Sequence, residues 1–547
     1  MRLASTKTKN EIGFDFVTQN ISIKTPYGKK HLKEMAAFSP GEEEKLSYEL
    51  EKLSMLLSIL NESPQKMDVL EEILMEIKEV SFTVNRSINN VLSVVELFEL
   101  KNFLLQLDRI NGLIQEFSSA MPKELIPVET LSLLDSLDPR KDRINAFYIY
   151  DDFSEILGSL RKKKHNLEIE IRQEKKQIRQ EIENEFCISM TPKFELLISK
   201  SNSELLAKAK NIERLAIDCE DYMTVTYGIK STDVLDVLTK RTEEVNYHIE
   251  EEELKVRAKL SKKVAQHQRD LVKNCLIIGE LDFVLAKARY AKFYNCCRPE
   301  ITNAHVLEIT EGRQLMAEKI LSDKGKAFCP VSIKLTDGVT CITGANMGGK
   351  TISLKMVGLV SLLAQYGFFV PCREAKVGLS SSVHILIGDT QSMQRGLSSF
   401  GSEMEALKDI LDQSHEKALI LIDEIASGTN PVEGLALTKS VISYLSAKQY
   451  ITLVTTHFDN AAMGKSVQNL QVKGLSSANM AKLGKELLHA SRRERIDIIS
   501  KYMDYRLYAV GGGQEIPKDA LNIAKMLGIY DEIIDEAKNL LIGGNEG

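Results

Sequence analysis

Apolar residues in the first 150 positions recur at the three- and four-residue intervals of amphipathic helices. The stretch EEEKLSYELEKLSMLLSIL is the clearest case, because its leucines fall on one face of a helix. These leucines are Leu46, Leu50, Leu53, Leu57 and Leu60. A polar interruption with a short aromatic piece follows at 137–152. The pattern predicts a helical domain over residues 1–150.

A narrower apolar pattern marks residues 151–300. Between Leu160 and Ile182 the apolar residues repeat at steps of seven and four, and the remaining positions carry charges of both signs. A second segment of this kind runs over 234–290. Two such helices around a short insert at 187–230 predict a long antiparallel helical arm. Because positive and negative side chains are interspersed, a plain coiled-coil spacer and a nucleic-acid clamp both fit this pattern.

Short β-rich runs alternate with helical patterns from residue 301 onward. Examples are VSIKL, VTCIT, ALILID and ITLVTT. Strands that alternate with helices are typical of an α/β domain with a largely parallel central sheet. The sequence therefore predicts an α+α/β multidomain chain, with the α/β domain over 301–500 and a C-terminal helical segment over 501–547.

One strand, glycine-rich loop and helix carry a phosphate-binding pattern. Residues Gly344 to Thr351 fit G-x-x-x-x-G-K-[ST]. The glycines let backbone N–H groups face a phosphate chain, and the helix N-terminus that follows favours negative charge. Lys350 would reach the β- and γ-phosphates of ATP, and the Thr351 hydroxyl would bind Mg²⁺. The residues expected to contact ATP are Gly344, Ala345, Asn346, Met347, Gly348, Gly349, Lys350 and Thr351.

Acidic residues end another apolar strand, in the stretch ALILIDE. This strand stops at Asp423 and Glu424. Downstream of a phosphate loop, Asp423 would hold Mg²⁺ and Glu424 would polarise the attacking water. His457 closes the strand ITLVTTH and could bond the γ-phosphate. We therefore predict an ATP hydrolase with Lys350, Glu424 and His457 as catalytic residues and with Thr351 and Asp423 as Mg²⁺ ligands.

Composition and charge narrow the class of protein. The 547 residues exceed what one hydrophobic core usually holds, and 43% apolar with 27% charged residues is ordinary for a globular protein. We find no apolar run long enough for a membrane span, no signal-peptide pattern at the start and no C-x-x-C pair among the eight cysteines. We expect a cytoplasmic protein with reduced cysteines. The net charge of −6 does not by itself favour nucleic acid.

Four segments, in order, resemble the ATPase domain of the MutS family, whose members are relatives of the ABC ATPases. The segments GANMGGKT, SSFGSEM, LIDEIASGTNPVEGLAL and TTHF correspond to the family patterns GPNMGGKST, STFxxEM, DExGxGT and TH. The stretches GTNPVEG, GDTQSMQ and VGLVSLLAQYGFFVP are most similar to the second bacterial MutS branch. Residues 500–541 resemble the family's closing helix pair.

The resemblance implies a homodimer with two composite ATP sites on a P-loop domain of the ABC type. Ser398 and Ser399 would reach the nucleotide of the other subunit, and the loop Ser427–Asn430 would cross the interface. The long helices would be levers, and the insert at 187–230 would be the tip of a clamp. The family's mismatch-reading domain and its C-terminal nuclease-like extension have no match in this sequence.

Two functions fit these observations. The first is a DNA-linked ATPase, a clamp dimer that holds branched, mismatched or otherwise unusual DNA in repair or recombination control. The second is a protein-remodelling ATPase that acts on a protein client, for example a reactivating factor for an adenosylcobalamin-dependent aminomutase. The family favours DNA, whereas the missing DNA-reading domain and the acidic balance favour a protein client. A basic inner surface on the clamp would support the first function, and an acidic or apolar surface the second.

Overall fold

The computed structural model of the chain divides into two compact units. Unit 1 comprises Met1–Met75, Leu113–Ile126 and Ile277–Gly547, and unit 2 comprises Glu76–Gly112 and Pro127–Leu276. The residues described are 3–117, 121–344, 349–388, 399–458, 467–475, 479–488, 491–510 and 519–543. The predicted domain limits at residues 150, 300 and 500 stay predictions.

Helices dominate the first 300 residues, and strands alternate with helices beyond them. The helices are α1 (Thr6–Ile12), α2 (Phe14–Asn20), α3 (Pro26–Glu34), α4 (Glu43–Glu62), α5 (Pro64–Glu76), α6 (Ser81–Arg86), α7 (Val94–Gln115), α8 (Leu131–Leu137), α9 (Glu155–Phe186), α10 (Ser203–Lys210), α11 (Asp233–Gln266), α12 (Gln268–Phe293), α13 (Leu315–Asp323), α14 (Lys350–Gln365), α15 (Ser399–Gln413), α16 (Pro431–Ser446), α17 (Met480–Leu488), α18 (Arg492–Tyr502), α19 (Asp519–Met526) and α20 (Asp531–Gly543). The strands are β1 (Glu195–Ser199), β2 (Leu215–Glu220), β3 (Thr224–Ile229), β4 (Glu300–Thr302), β5 (Val306–Gly312), β6 (Val331–Thr336), β7 (Gly338–Thr343), β8 (Glu374–Gly378), β9 (Ser382–Leu386), β10 (Ala418–Asp423), β11 (Tyr450–Thr455), β12 (Val467–Gly474) and β13 (Asp504–Ala509). In the ranges that the structure describes, no helix combines the length and apolar content that crossing a bilayer requires.

The leucine stripe predicted at residues 46–60 lies on α4. Leu46, Leu50, Leu53 and Leu60 are buried there, because this face of the helix packs into the protein. The helical prediction is therefore confirmed for this stretch, and Leu57, the fifth leucine of the predicted stripe, is half-buried.

In unit 2 the two long charged helices α9 and α11 pack against each other. Near the start of α9, Arg161 pairs with Glu253 of α11 at 2.7 Å. Near the end of α9, Ile182 shares a buried cluster with Leu235 at the start of α11. The helices therefore run antiparallel, as the two narrow stripes predict. The chain between them forms α10 and an antiparallel sheet with the strand order β1-β3-β2.

In unit 1 a six-stranded sheet has the order β13-β12-β7-β11-β10-β9. Strands β12, β7, β11, β10 and β9 pair in parallel, and β13 pairs antiparallel with β12 at the edge. A second, mixed sheet has the order β4-β8-β5-β6. This is the largely parallel α/β architecture that the alternating pattern after residue 301 predicts.

Helix α14 lies in the core of unit 1. Leu354, Val357 and Leu363 are fully buried in a cluster that also holds Ile309 of β5 and Leu421 of β10. A helix that is apolar on nearly every side has to be covered on nearly every side. The two sheets and neighbouring helices supply that cover, so the position of α14 is fixed relative to the strands.

The C-terminal end of α14 is held by a buried lysine of α12. The Lys287 ammonium donates to the carbonyl oxygens of Tyr366 and Gly367 at 3.2 and 3.1 Å. It also lies over the rings of Phe283 and Phe368. Burial lowers the pKa of Lys287 to about 7, because the charged form loses its water.

Lys287→Met should remove part of the pH dependence of stability. Below about pH 7 the folded protein carries the cost of a buried ammonium, whereas the unfolded chain keeps a lysine pKa of about 10.4. The unfolding free energy of the wild type should therefore rise relative to that of the variant as the pH goes from about 7 to about 10. Denaturation followed by circular dichroism at several pH values measures this difference.

The control is Lys292→Met, which removes a charge from an exposed position of the same helix. An identical pH profile for wild type and Lys287→Met would contradict the assignment.

Candidate functional site

The carboxyl ends of three parallel strands meet at one edge of the six-stranded sheet. Asp423 of β10 lies opposite Thr455 of β11, and Thr455 lies opposite Ile342 of β7. Strand β7 ends at Thr343, Gly344 follows it, and α14 begins at Lys350. The carboxyl end of a parallel sheet beside a helix N-terminus is the usual place for a ligand site in this class of fold.

Lys350 lies at the centre of this edge. Its ammonium donates to the Gly344 carbonyl oxygen at 2.6 Å and lies 3.3 Å from Glu424 Oε1. The Lys350 side chain is only 3% exposed. A buried ammonium needs acceptors, and these two oxygens supply them.

Two glycines of the loop adopt conformations that other residues avoid. Gly344 has φ +124° and Gly349 has φ +72°. A Cβ atom at Gly349 would also lie 3.2 Å from Cδ1 of Tyr505 on β13. The expected ATP contacts Ala345, Asn346, Met347 and Gly348 lie outside the described residues.

A hydroxyl–carboxylate network connects α14 to the strands β10 and β11. Thr351 donates to Asp423 Oδ2 at 2.8 Å, and the Thr455 hydroxyl donates to Asp423 Oδ1. Asp423 is 9% exposed, so its carboxylate depends on these donors. Hydroxyl and carboxylate oxygens are the protein ligands that Mg²⁺ takes at phosphate sites. Thr351 and Asp423 therefore fit a magnesium ion.

Glu424 stands in a turn with an unusual backbone. Its φ is +48°, and that of Ala426 is +58°. The Glu424 N–H donates to both the carbonyl and the hydroxyl oxygen of Thr455, at 3.0 and 3.2 Å. The Glu424 side chain is 29% exposed, which leaves its carboxylate open to solvent beside Lys350.

The remaining predicted residues are less closely tied to this network. His457 is exposed, and its ring lies 4.3 Å from the ring of Phe458, centre to centre. Ser399 begins α15, and Ser398 lies outside the described residues. The structure thus gathers Lys350, Thr351, Asp423 and Glu424, whereas the roles of His457 and the two serines stay predictions.

Three residues near the site carried no role in the sequence interpretation. Thr455 bonds Asp423 and the Glu424 N–H, Glu403 of α15 accepts a bond from the Ala426 N–H at 3.0 Å, and Tyr505 packs beside Gly349. Thr455 directly precedes the TH dipeptide, and its position next to a family motif could have indicated its role. Glu403 and Tyr505 are distant in sequence from the residues they contact.

Comparison with known proteins agrees with the motif segments. Residues 340–542 match the protein-family model described as MutS domain V. The chain is 33% identical over 289 residues to a Clostridium botulinum protein named Endonuclease MutS2. That alignment covers 52% of this chain and 33% of the Clostridium protein. A protein of the same name from Acetivibrio thermocellus is 32% identical over 312 residues, covering 54% and 35%. One from Caldanaerobacter subterraneus is 26% identical over 515 residues, covering 90% and 60%.

These matches and the arrangement of strands, loop and helix point to one protein family. Residues 340–542 belong to the MutS domain V family, and the relatives that the chain matches are named Endonuclease MutS2. The family resemblance inferred from the motifs is therefore confirmed. The aligned region spans 33% of the first of these relatives and 60% of the Caldanaerobacter protein.

Thr455→Val should destabilise the protein, because Asp423 and the Glu424 N–H each lose a buried partner. Loss of one partner of a buried polar group costs about 1–3 kcal/mol of unfolding free energy. Urea denaturation followed by circular dichroism measures the shift.

The matched control is Thr452→Val on the same strand. The Thr452 hydroxyl is buried without a hydrogen-bond partner among the described residues, so its removal should be neutral or stabilising. Equal losses in the two variants would refute the special role of Thr455.

Proposed function

We propose that this chain is a Mg²⁺-dependent ATP hydrolase of the MutS type that works as a homodimer on DNA. The observation that carries the proposal is the convergence of Lys350, Thr351, Asp423 and Glu424 at one edge of a parallel sheet. A lysine, a hydroxyl and two carboxylates next to a glycine loop suit phosphoryl transfer better than the other reactions common to such sheets.

In the proposed reaction each residue has a separate task. Lys350 exchanges its present acceptors, Gly344 O and Glu424 Oε1, for phosphate oxygens of ATP. This exchange frees the Glu424 carboxylate to accept a proton from the attacking water. Thr351 and Asp423 would hold Mg²⁺, which when bound would supply positive charge against the phosphates of ATP. His457 bonds the γ-phosphate.

The second subunit completes each site in this proposal. Ser398 and Ser399 precede and begin α15, where a hydroxyl and a helix N-terminus can meet the γ-phosphate of the nucleotide in the other subunit. ATP then binds the closed dimer better than the open one, so nucleotide binding closes the clamp.

DNA is the proposed partner of the arm formed by α9 and α11. Several basic side chains of α9 are exposed and could contact phosphates. They are Lys162, Lys163, Arg172 and Lys176. Other basic residues of the arm are paired, including Arg161 with Glu253 and Arg179 with Glu183. Contacts to phosphates carry no sequence information. We therefore expect the arm to select DNA by its shape, with a preference for branched or otherwise unusual DNA.

Neither nuclease activity nor protein remodelling is proposed for this chain. The relatives are named as endonucleases, but the aligned regions span only 33 to 60% of their length. The protein-remodelling alternative, with a client such as an adenosylcobalamin-dependent aminomutase, is not favoured by any of the comparisons. A protein client is the contrary outcome of the experiment in which DNA is added to the ATPase.

Glu424→Gln should stop turnover but keep ATP binding. Loss of a general base lowers kcat by about 100-fold or more. The variant should therefore accumulate as an ATP-bound dimer, measurable by light scattering during gel filtration. Lys350→Ala is the contrasting variant and should lose ATP affinity. Hydrolysis by Glu424→Gln at the wild-type rate would refute the assignment of the base.

DNA should stimulate the ATPase of the purified wild-type chain. We expect branched DNA to act more strongly than a duplex of the same length, and the effect to fall steeply with salt because counterions are released on binding. Glu424→Gln corrects for contaminating ATPases. The absence of any DNA response, together with stimulation by a nucleic-acid-free protein fraction, would replace DNA with a protein client.

A further inference from the structure

The turn that follows β10 holds two side-chain-bearing residues in left-handed backbone conformations. Glu424 and Ala426 have φ values of +48° and +58°. This region is unfavourable for residues with a Cβ, so the surroundings must hold the turn in place. The family pattern DExGxGT has a glycine where this chain has Ala426. The need for outside support is therefore greater in this chain.

Three elements supply hydrogen bonds to the turn. Thr455 of β11 accepts from the Glu424 N–H. Thr438 of α16 donates to the Ile425 carbonyl oxygen at 3.4 Å. On the third side, the Glu403 carboxylate of α15 accepts from the Ala426 N–H at 3.0 Å. The bond to Glu403 involves a formal charge, and charge-assisted hydrogen bonds are the stronger kind.

Apolar packing next to Glu403 also holds α15 against the turn. Phe400 and Met404, neighbours on α15, pack against the buried cluster that contains Ile425 and Ala426. Burial raises the pKa of Glu403, and the bond from the Ala426 N–H opposes that rise. Helix α15 and the turn are thus joined by both apolar packing and a hydrogen bond.

We propose that Glu403 is a positioning residue that, through Ala426, sets the direction of the Glu424 carboxylate for the hydrolysis step. The inference rests on the proposed ATPase function. Glu403 lies on the same helix as Ser399, which is proposed to meet the nucleotide of the other subunit. A shift of α15 on closure of the dimer is therefore passed to Glu424 of the same subunit. The hydrogen bond between the Glu403 carboxylate and the Ala426 N–H would thus couple the two composite sites.

The test compares three substitutions on α15. Glu403→Met keeps the length of the side chain and suits a half-buried position, but it removes the acceptor. Glu403→Gln keeps an acceptor oxygen. Glu405→Met makes the same change as the first variant at an exposed position two residues away and is the matched control.

Glu403→Met should lower kcat about 10-fold or more, because the loss of a hydrogen bond to a charged group misplaces Glu424. Its apparent ATP affinity should change by less than about twofold, because the lost bond is to the turn at Ala426, whereas Lys350 and Thr351 bond Gly344 and Asp423. Glu403→Gln should recover most of kcat, and Glu405→Met should match the wild type. Hydrogen exchange of the peptide over 424–430 should be faster in Glu403→Met than in Glu405→Met.

Distinct results overturn the inference and the function on which it rests. A wild-type chain that does not hydrolyse ATP removes both. If the wild type hydrolyses ATP, a kcat within twofold of wild type in Glu403→Met overturns the positioning role alone. The same holds if Glu403→Gln is as impaired as Glu403→Met, or if the loss lies in ATP affinity. If Glu403→Met fails to fold, Glu403→Ala, which also removes the acceptor, replaces it and is judged by the same kcat and exchange criteria.

Discussion

Parallel pairing of β7, β11 and β10 in a fixed register is the constraint on which the candidate site depends. It sets Asp423 beside Thr455, and Thr455 beside the end of β7. A slip of one residue would exchange the faces of a strand and carry Asp423 away from α14. The register is kept because Leu421 of β10 and Leu453 of β11 must reach the same buried cluster as α14. Packing of the core therefore positions the polar residues at its edge.

Burial of charge is the second factor that shapes the site. Lys350 and Asp423 are nearly buried, so each needs partners, and each finds them within the site. The Lys350–Glu424 pair and the Gly344 carbonyl satisfy the ammonium with acceptors that phosphate oxygens can replace. The low dielectric that makes these charges costly would also strengthen their action on the phosphate proposed to bind there. One buried lysine thus serves both the stability of the site and the chemistry proposed for it.

Much of the architecture could be predicted from the sequence, because the signals are local. The stripe on α4 and the paired stripes of α9 and α11 follow from the helical period, which neighbours in sequence define. The strand, glycine loop and helix around Gly344 occupy one short segment, and their residue types indicated the site. The contacts of His457 and Ser399 could not be settled in this way, since the partners proposed for them are a nucleotide and a second subunit.

The helical and α/β parts of this protein, and the residues proposed to bind phosphate, are evident from local sequence patterns. Three contacts depend instead on how the chain folds in space: Thr455 bonds Asp423 and Glu424, Glu403 supports the turn at Ala426, and Lys287 bonds the end of α14. Each of these contacts joins residues far apart in the chain. Such pairs leave no periodic signal, because they arise when strand register and helix packing bring separate elements together.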